Sequence, residues 1–214
     1  MWDAVIIGAG ISGCSVAREL ARYDLKVLVL EKGHDLCAGT TRGNSATVHA
    51  GYDPDPGSNK AIYNVQGSRM YQKLCEELDV PYVQNGMIVF ATNDEQMEEV
   101  RRLYKVGCQN GVKTEICDRK RVLEIEPDMG EGVIGGLWVP ESAMVCPYNL
   151  VFAMAENAAR NGVVFKTGCA ALKVKMSDDV WVVMTSEGEE RTRYIFNCPG
   201  THADKFNNMV SRDT

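Results

Sequence analysis

A glycine-rich turn between an apolar run and an amphipathic segment restricts the fold of this chain more than any other feature. The run DAVII has the β-branched composition of a buried strand, the turn reads GAGISG, and CSVARELARYDL has helical spacing. The run KVLVLEK then predicts a second strand that is buried on both faces. Parallel strands need a crossover connection, so residues 1–32 are predicted to form one βαβ unit.

Gly8, Gly10 and Gly13 give this turn the spacing G-x-G-x-x-G, which is typical of dinucleotide binding. The first glycine allows the tight turn, the second lets a pyrophosphate approach the backbone, and the third lets the helix meet the strand. The unpaired amides and the dipole at the helix N-terminus favour the anion. Because such glycine triplets also occur by chance, the flanking strand and helix give the motif its weight.

Glu31 ends the second predicted strand, 18 residues after Gly13. An acid about 20 residues after the motif accepts hydrogen bonds from the adenosine ribose, so Glu31 is the predicted ribose ligand. A solvated carboxylate at a strand end is the alternative interpretation. The negative charge would repel a 2′-phosphate, which argues against NADP and leaves FAD and NAD open at this point.

Charge and composition exclude several kinds of partner. A net charge of -6 and a pI near 5.2 oppose binding to nucleic acid or anionic lipid, which both need clustered positive charge. No apolar run approaches the roughly 20 residues that cross a bilayer, so no transmembrane segment is predicted. The eight cysteines are scattered singly and without zinc-ligand spacing, so we predict free thiols, no metal site and a cytoplasmic location.

Predicted helices and strands alternate along the rest of the chain. The pattern of the middle section differs from that of the N-terminal βαβ unit. A helix is predicted over 61–78, and GMIVFAT, DEQMEEVRRLYKVGCQNG and DRKRVLEIEP predict a strand, a helix and a short helix. Pro147 predicts the start of another helix. The strand VVFKT, a hairpin of ALKVKM and VWVVMT, the strand RYIFNCPG and the helix THADKFNNMV are predicted to follow. We therefore predict an α/β fold with a dinucleotide-binding domain of residues 1–78 and 145–214, and residues 79–144 as part of an inserted α+β substrate domain.

The segment DAVIIGAGISGCSVARELARYDLKVLVLEK resembles the N-terminus of FAD-dependent oxidoreductases. The loop GTTRGNSATVHAGYDPDPGSNKA resembles the D-amino-acid-oxidase (DAO) type, and within it the L-2-hydroxyglutarate oxidases and glycerol-3-phosphate dehydrogenases. Later segments, among them EPDMGEGVIGGLWVPESAMVCPYNL and RYIFNCPGTHADKFNNMV, resemble the same group in the same order. Asp24, Ala46 and Pro199 stand where relatives usually have glycine, glycine and alanine. Members of the family continue past HADKFNNMV, so we expect a chain that is incomplete at its C-terminus.

The resemblance implies a Rossmann-like FAD-binding domain and a set of residues that contact FAD. Thr41, Asn44 and Ser45 would lie along the pyrophosphate and flavin, Ala171 would offer backbone atoms to the adenine, and Gly200 would pass near the cofactor. Ordinary turn chemistry would also explain these residue types. The complete predicted set is Gly8, Gly10, Ser12, Gly13, Glu31, Lys32, Thr41, Asn44, Ser45, Ala171 and Gly200.

His49 is the candidate catalytic residue, because the resemblance places its loop near the flavin. Oxidation of a secondary alcohol sends a hydride from carbon to flavin N5 while a proton leaves oxygen, so a nearby base helps. An imidazole has an unperturbed pKa of about 6.5, which suits this task. His49 would act as the base or orient the substrate, or it would only hydrogen-bond the loop or cofactor. His34 and His202 have weaker claims.

The leading hypothesis is an FAD-dependent dehydrogenase or oxidase that acts on a small anionic substrate, either an L-2-hydroxyglutarate-like 2-hydroxy acid or sn-glycerol 3-phosphate. Arg42, Lys60 and Arg69 are candidates by position for contacting the anion. One alternative is an amine or amino-acid oxidase of the same family. Another is a truncated, non-catalytic FAD-binding fragment. The electron acceptor, whether oxygen, a quinone or a protein, stays open.

Overall fold

The structure is a computed structural model that describes residues 1–211, and these form two compact units. The first unit comprises Met1–Ser45, Leu78–Val80 and the described part of Cys146–Thr214. The second comprises Ala46–Glu77 and Pro81–Val145. The last three residues of the predicted range 145–214 lie outside the described residues.

The division of the chain differs from the prediction mainly at residues 46–77. The sequence placed them in the first domain, whereas the structure groups them with the second unit. A two-residue strand in this segment pairs with residues 143–144. Tyr52 and Val65 also belong to the hydrophobic core of the second unit. Strand pairing and burial therefore place residues 46–77 in the second unit. Neither can be inferred from the local composition of this segment.

The first unit is built on a six-stranded sheet. Across the sheet the strands are β10 (Ala171–Ser177), β11 (Val180–Thr185), β12 (Gly188–Asn197), β1 (Trp2–Ile7), β2 (Val27–Leu30) and β9 (Val164–Lys166). Strands β12, β1, β2 and β9 run parallel, and β10, β11 and β12 form antiparallel hairpins. This arrangement confirms the predicted α/β fold with a parallel, Rossmann-like sheet.

The two central strands are buried because their sequences are apolar at successive positions. Val5, Ile6, Val27, Leu28 and Val29 are all fully buried, as expected for parallel strands covered on both faces. The helices of this unit are α1 (Ile11–Leu20), α5 (Pro147–Arg160) and α6 (Ala203–Val210). Helix α1 packs against α5, which begins with its proline at the predicted position.

Strand β12 is longer than predicted and belongs to two kinds of pairing. Its first part, residues 188–192, pairs antiparallel with β11, and residues 192–197 pair parallel with β1. The sequence predicted only the second part, because Glu189, Glu190 and Arg191 break the apolar run. One strand therefore connects the hairpins to the parallel sheet.

The second unit contains two three-stranded antiparallel sheets and three helices. The first sheet has the order β3 (Thr47–Val48), β8 (Ala143–Val145), β4 (Tyr82–Val83), and the second β5 (Met87–Ala91), β7 (Gly135–Val139), β6 (Glu115–Asp118). The helices are α2 (Asn59–Leu78), α3 (Asp94–Gln109) and α4 (Arg119–Ile125). The sequence analysis missed β7, which begins with two glycines, because glycine is depleted in strands. The sheet needs them, since a Cβ at Gly136 would lie 2.8 Å from the carbonyl oxygen of Val89.

Candidate cofactor-binding site

A cavity of about 410 Å³ lies within the first unit, at the carboxyl ends of β1, β2 and β12. The parallel strands bring their C-terminal loops to one edge of the sheet, so segments distant in sequence meet there. The lining comprises residues 7–8, 10–12, 30–33, 38–41, 198–202 and 205–206.

The glycine turn after β1 is packed between the loops that follow β2 and β12. The amide of Gly8 donates to the carbonyl of Leu30 at 2.8 Å. Gly8 has φ +100°, and a Cβ there would lie 2.5 Å from the carbonyl oxygen of Cys198. A Cβ at Gly13 would lie 1.9 Å from the carbonyl oxygen of Gly8. The turn therefore requires glycine at both positions, for backbone conformation at the first and for helix packing at the second.

Helix α1 begins at the cavity. Its N-cap residue is Gly10, which has no side chain that could cap the helix. The amide of Ile11 donates instead to Oγ1 of Thr41 at 3.2 Å, which ties the short 3-10 helix Thr40–Arg42 to the turn. A Cβ at Gly10 would lie 3.0 Å from the same oxygen. First-turn amides lack partners within a helix, so this end can receive an anion.

Both carboxylate oxygens of Glu31 accept backbone hydrogen bonds at the cavity. Oε2 accepts from the amide of Ala9 at 2.8 Å, and Oε1 accepts from the amide of Gly33 at 2.7 Å. The carboxylate is therefore held in one position beside the glycine turn. Each oxygen keeps further acceptor capacity, so Glu31 can still receive a hydroxyl of a ligand.

Seven of the eleven residues predicted to contact the cofactor line the cavity: Gly8, Gly10, Ser12, Glu31, Lys32, Thr41 and Gly200. The structure does not bring Gly13, Asn44, Ser45 or Ala171 to its wall. Gly13 is buried under the turn, and Asn44 donates from Nδ2 to the carbonyl of Thr41 at 2.5 Å. Ala171 packs against a hydrophobic core cluster of the first unit.

The sequence analysis missed several residues of the cavity wall, among them Cys198, Lys205 and Phe206, and it gave His202 only a weak claim. They follow β12, the parallel neighbour of β1 on the side away from β2. The rule that ligands bind at the carboxyl edge of a parallel sheet would have indicated them, had the strand order been known.

The thiols around the turn stay protonated. Burial raises the pKa of Cys14 to about 12, with smaller contributions from Cys37 and Glu31. Burial also raises the pKa values of Cys37 and Cys198. A thiol is a poor nucleophile in its protonated form, so these side chains act as small packing residues.

His49 follows β3 in the second unit and is not among the residues that line the cavity. Its side chain is exposed, whereas Val48 and Ala50 on either side are buried and hold the backbone in place. Ala46, which stands where the family commonly has glycine, has φ +61°. The left-handed conformation at this position explains a preference for glycine there.

Three cationic side chains were candidates for contacting an anionic substrate, and two of them have partners within the second unit. Nη2 of Arg69 donates to the carbonyl of Gly111 at 2.9 Å, and Nζ of Lys60 lies 4.0 Å from Oδ2 of Asp53. Arg42 is exposed at the end of its 3-10 helix. Within residues 1–211, no group of His, Cys, Asp and Glu could hold a metal ion, and no helix is long and apolar enough to span a membrane.

A glycine turn, a helix N-terminus and a strand-end carboxylate around one cavity at the carboxyl edge of a parallel sheet define a dinucleotide-binding protein. The sequence pattern of the DAO family, FAD dependent oxidoreductase, matches residues 3–214, and the chain belongs to this family. The predicted family and cofactor are thereby confirmed. The cavity fits FAD, since it offers first-turn amides for a diphosphate and a fixed carboxylate for a ribose.

Three relatives illustrate the similarity. Glycerol 3-phosphate dehydrogenase of Caloramator mitchellensis is 40% identical over 214 residues, which are 100% of this chain and 45% of the relative. L-2-hydroxyglutarate dehydrogenase of Escherichia coli strain K12 is 30% identical, over 98% of this chain and 50% of the relative. The FAD-bound L-alpha-glycerophosphate oxidase from Mycoplasma pneumoniae has a TM-score of 0.92 at 26% identity, over 99% of this chain and 57% of that one. The chain spans about half the length of the curated relatives it matches.

Proposed function

We propose that this chain binds FAD in the cavity of the first unit and serves a dehydrogenase or oxidase of a small anionic hydroxy substrate. The main observation in support is that Gly10, Glu31 and Thr41, which are distant in sequence, line one cavity at the start of α1. The substrate class is supported by the relatives at 40% and 30% identity, which are named for glycerol 3-phosphate and L-2-hydroxyglutarate. Both compounds combine a secondary alcohol with negative charge.

The residues of the first unit take distinct roles in this proposal. The amide of Ser12, in the first turn of α1, binds the diphosphate, and Glu31 accepts hydrogen bonds from the ribose hydroxyls. Thr41 positions the start of the helix through the Ile11 amide. Lys32 and Gly200 line the cavity and remain proposed contacts of the cofactor there. Asn44, Ser45 and Ala171 do not line it and are proposed to contact FAD outside the cavity. The first unit is then the FAD-binding domain, and the second unit is part of the substrate domain.

FAD, when bound, supplies the two-electron acceptor for the reaction. The contribution of the chain is to remove the hydroxyl proton as the carbon loses its hydride, which yields a ketone. We assign this base to His49, whose exposed imidazole is carried on a backbone held by buried neighbours.

An anaerobic absorption experiment tests the proposal. The purified chain is incubated with FAD and desalted, and then sn-glycerol 3-phosphate, L-2-hydroxyglutarate or glycine is added without oxygen. We expect retention of the flavin and loss of its visible absorbance with one of the two hydroxy compounds. Bleaching by glycine alone would favour the amino-acid oxidase alternative, and retention without any bleaching would favour a non-catalytic FAD-binding chain. A folded chain that takes up no FAD would overturn the proposal.

A further inference from the structure

Besides the thiol of Cys198, four ionisable side chains line the cavity: Glu31, Lys32, His202 and Lys205. The carboxylate of Glu31 already accepts hydrogen bonds from two backbone amides. Lys32 follows Glu31 directly in sequence. The side of the cavity formed by the loop after β2 therefore carries one carboxylate and one ammonium group. The other side, formed after β12, carries Lys205 and His202 and contributes no carboxylate to the lining.

Lys205 lies on α6, next to Phe206. Phe206 packs against the core cluster of the first unit and thereby holds the helix against β10 and β12. The side chain of Lys205 is exposed while lining the cavity, and within residues 1–211 it forms no ion pair. Asp204, its neighbour in sequence, lies in the first turn of α6 and does not line the cavity. A lysine ammonium on a flexible stem is therefore available at the wall.

The order of the strands determines where this charge lies. Strand β1 lies between β2 and β12, so the glycine turn after β1 is flanked by the Lys32 side and the Lys205 side. A helix N-terminus contributes only about half an elementary positive charge. The diphosphate of an adenine dinucleotide carries more negative charge than the start of α1 can neutralise, and a full cation on the flank would compensate part of it.

We propose that Lys205 is a diphosphate-binding residue, whose ammonium pairs with the diphosphate of the adenine dinucleotide held at the start of α1. This inference rests on the proposed function, because it requires the cofactor to bind in this cavity. Lys205 contributes through charge, so arginine can replace it and an uncharged side chain of similar length cannot. Its contribution also decreases as salt screens the interaction.

Calorimetric titration of the 214-residue chain with ADP and with adenosine tests this role. ADP carries a diphosphate and adenosine does not. For Lys205→Met we expect the Kd of ADP to rise about fivefold at low ionic strength, as for the loss of a partly screened ion pair. The Kd of adenosine is expected to stay unchanged, and Lys205→Arg is expected to restore ADP binding. At about 0.5 M salt the effect on ADP should largely disappear.

The matched control is Lys173→Met, which removes the same charge from an exposed position on β10 that does not line the cavity. Its ADP affinity should equal that of the parent chain. An unchanged ADP affinity in Lys205→Met would overturn the inference, and so would an equal loss for ADP and adenosine, since that would show a disturbed cavity. If the parent chain binds neither ADP nor FAD, the proposed function fails together with the inference. Measurements on the parent chain alone show this outcome, whereas failure of the Lys205 inference alone shows only in the variants.

Discussion

The Oε2 atom of Glu31 accepts a hydrogen bond from the amide of Ala9 at 2.8 Å, across 22 positions of sequence. The acid predicted to bind a ribose therefore also supports the middle of the glycine turn. Its other oxygen accepts from Gly33, so removal of the carboxylate disturbs two loops at once. Ribose binding and support of the glycine turn are compatible roles for Glu31, because each oxygen that accepts a backbone hydrogen bond keeps further acceptor capacity.

Glu31→Gln is expected to lower the free energy of unfolding by about 1–3 kcal/mol, because the amide NH2 would face one of two backbone donors. ADP binding should weaken in the same variant. Urea denaturation and calorimetric titration measure the two effects. Glu156→Gln, at an exposed position on α5, is the control and should change neither quantity. A Glu31→Gln protein as stable as the parent would contradict the structural role.

Gly13→Ala and Gly67→Ala are expected to change stability in opposite directions, although both glycines lie in helices. A Cβ at Gly13 would meet the carbonyl oxygen of Gly8 at 1.9 Å, so this variant should lose about 2–4 kcal/mol. A Cβ at Gly67 meets nothing within 4 Å, so alanine there should add about 0.5–1 kcal/mol. Urea unfolding of both variants checks the pair, and a Gly13→Ala protein as stable as the parent would contradict the packing of α1 against the turn.

Thr41→Val removes the acceptor of the Ile11 amide while it keeps the shape of the side chain. We expect a loss of about 1 kcal/mol in unfolding free energy, as for the loss of a helix cap. Thr41→Ser keeps the hydroxyl and should keep most of the stability. The comparison of the two variants by thermal and urea unfolding separates the hydrogen bond from the methyl contacts. Equal losses in both would assign the effect to packing.

Cys14 should make the stability of the chain depend on pH in the alkaline range. Its pKa is raised from 9.0 to about 12 in the folded state, so the unfolded state loses the thiol proton first. The stabilisation is complete below about pH 9 and is lost as the pH rises towards 12. Between pH 8 and 10.5 the parent should therefore lose stability more steeply than Cys14→Ala, as measured by urea unfolding. Parallel pH profiles would contradict the shift.

His49→Gln tests the proposed base. The variant should bind FAD like the parent, and its rate of flavin reduction by the hydroxy substrate should fall about 10²- to 10⁴-fold, the usual contribution of general base catalysis. Rapid-mixing absorbance under anaerobic conditions measures this rate. His34→Gln removes another exposed histidine and should leave the rate unchanged. A His49→Gln protein that reduces its flavin at the parental rate would leave this residue without a catalytic role.

Local sequence determined the elements whose patterns are simple. The apolar runs of β1 and β2 and the periodicity of α3 were sufficient to place them to within a few residues. Strand β7 could not be found in this way, because its leading glycines, Gly135 and Gly136, are required by close backbone contacts and not by strand propensity. The assignment of residues 46–77 to the second unit likewise depends on pairing with distant residues.

The sequence by itself determined the glycine turn, the acid at the end of β2 and the family, because these depend on spacings within short segments. Only the tertiary structure decided which remote side chains meet them. The hydrogen bond from Ile11 to Thr41 and the presence of Lys205 at the cavity follow from strand order and loop packing. The physical reason is that spacing along the chain encodes local conformation, whereas the neighbours of a strand are selected by burial of the whole sheet.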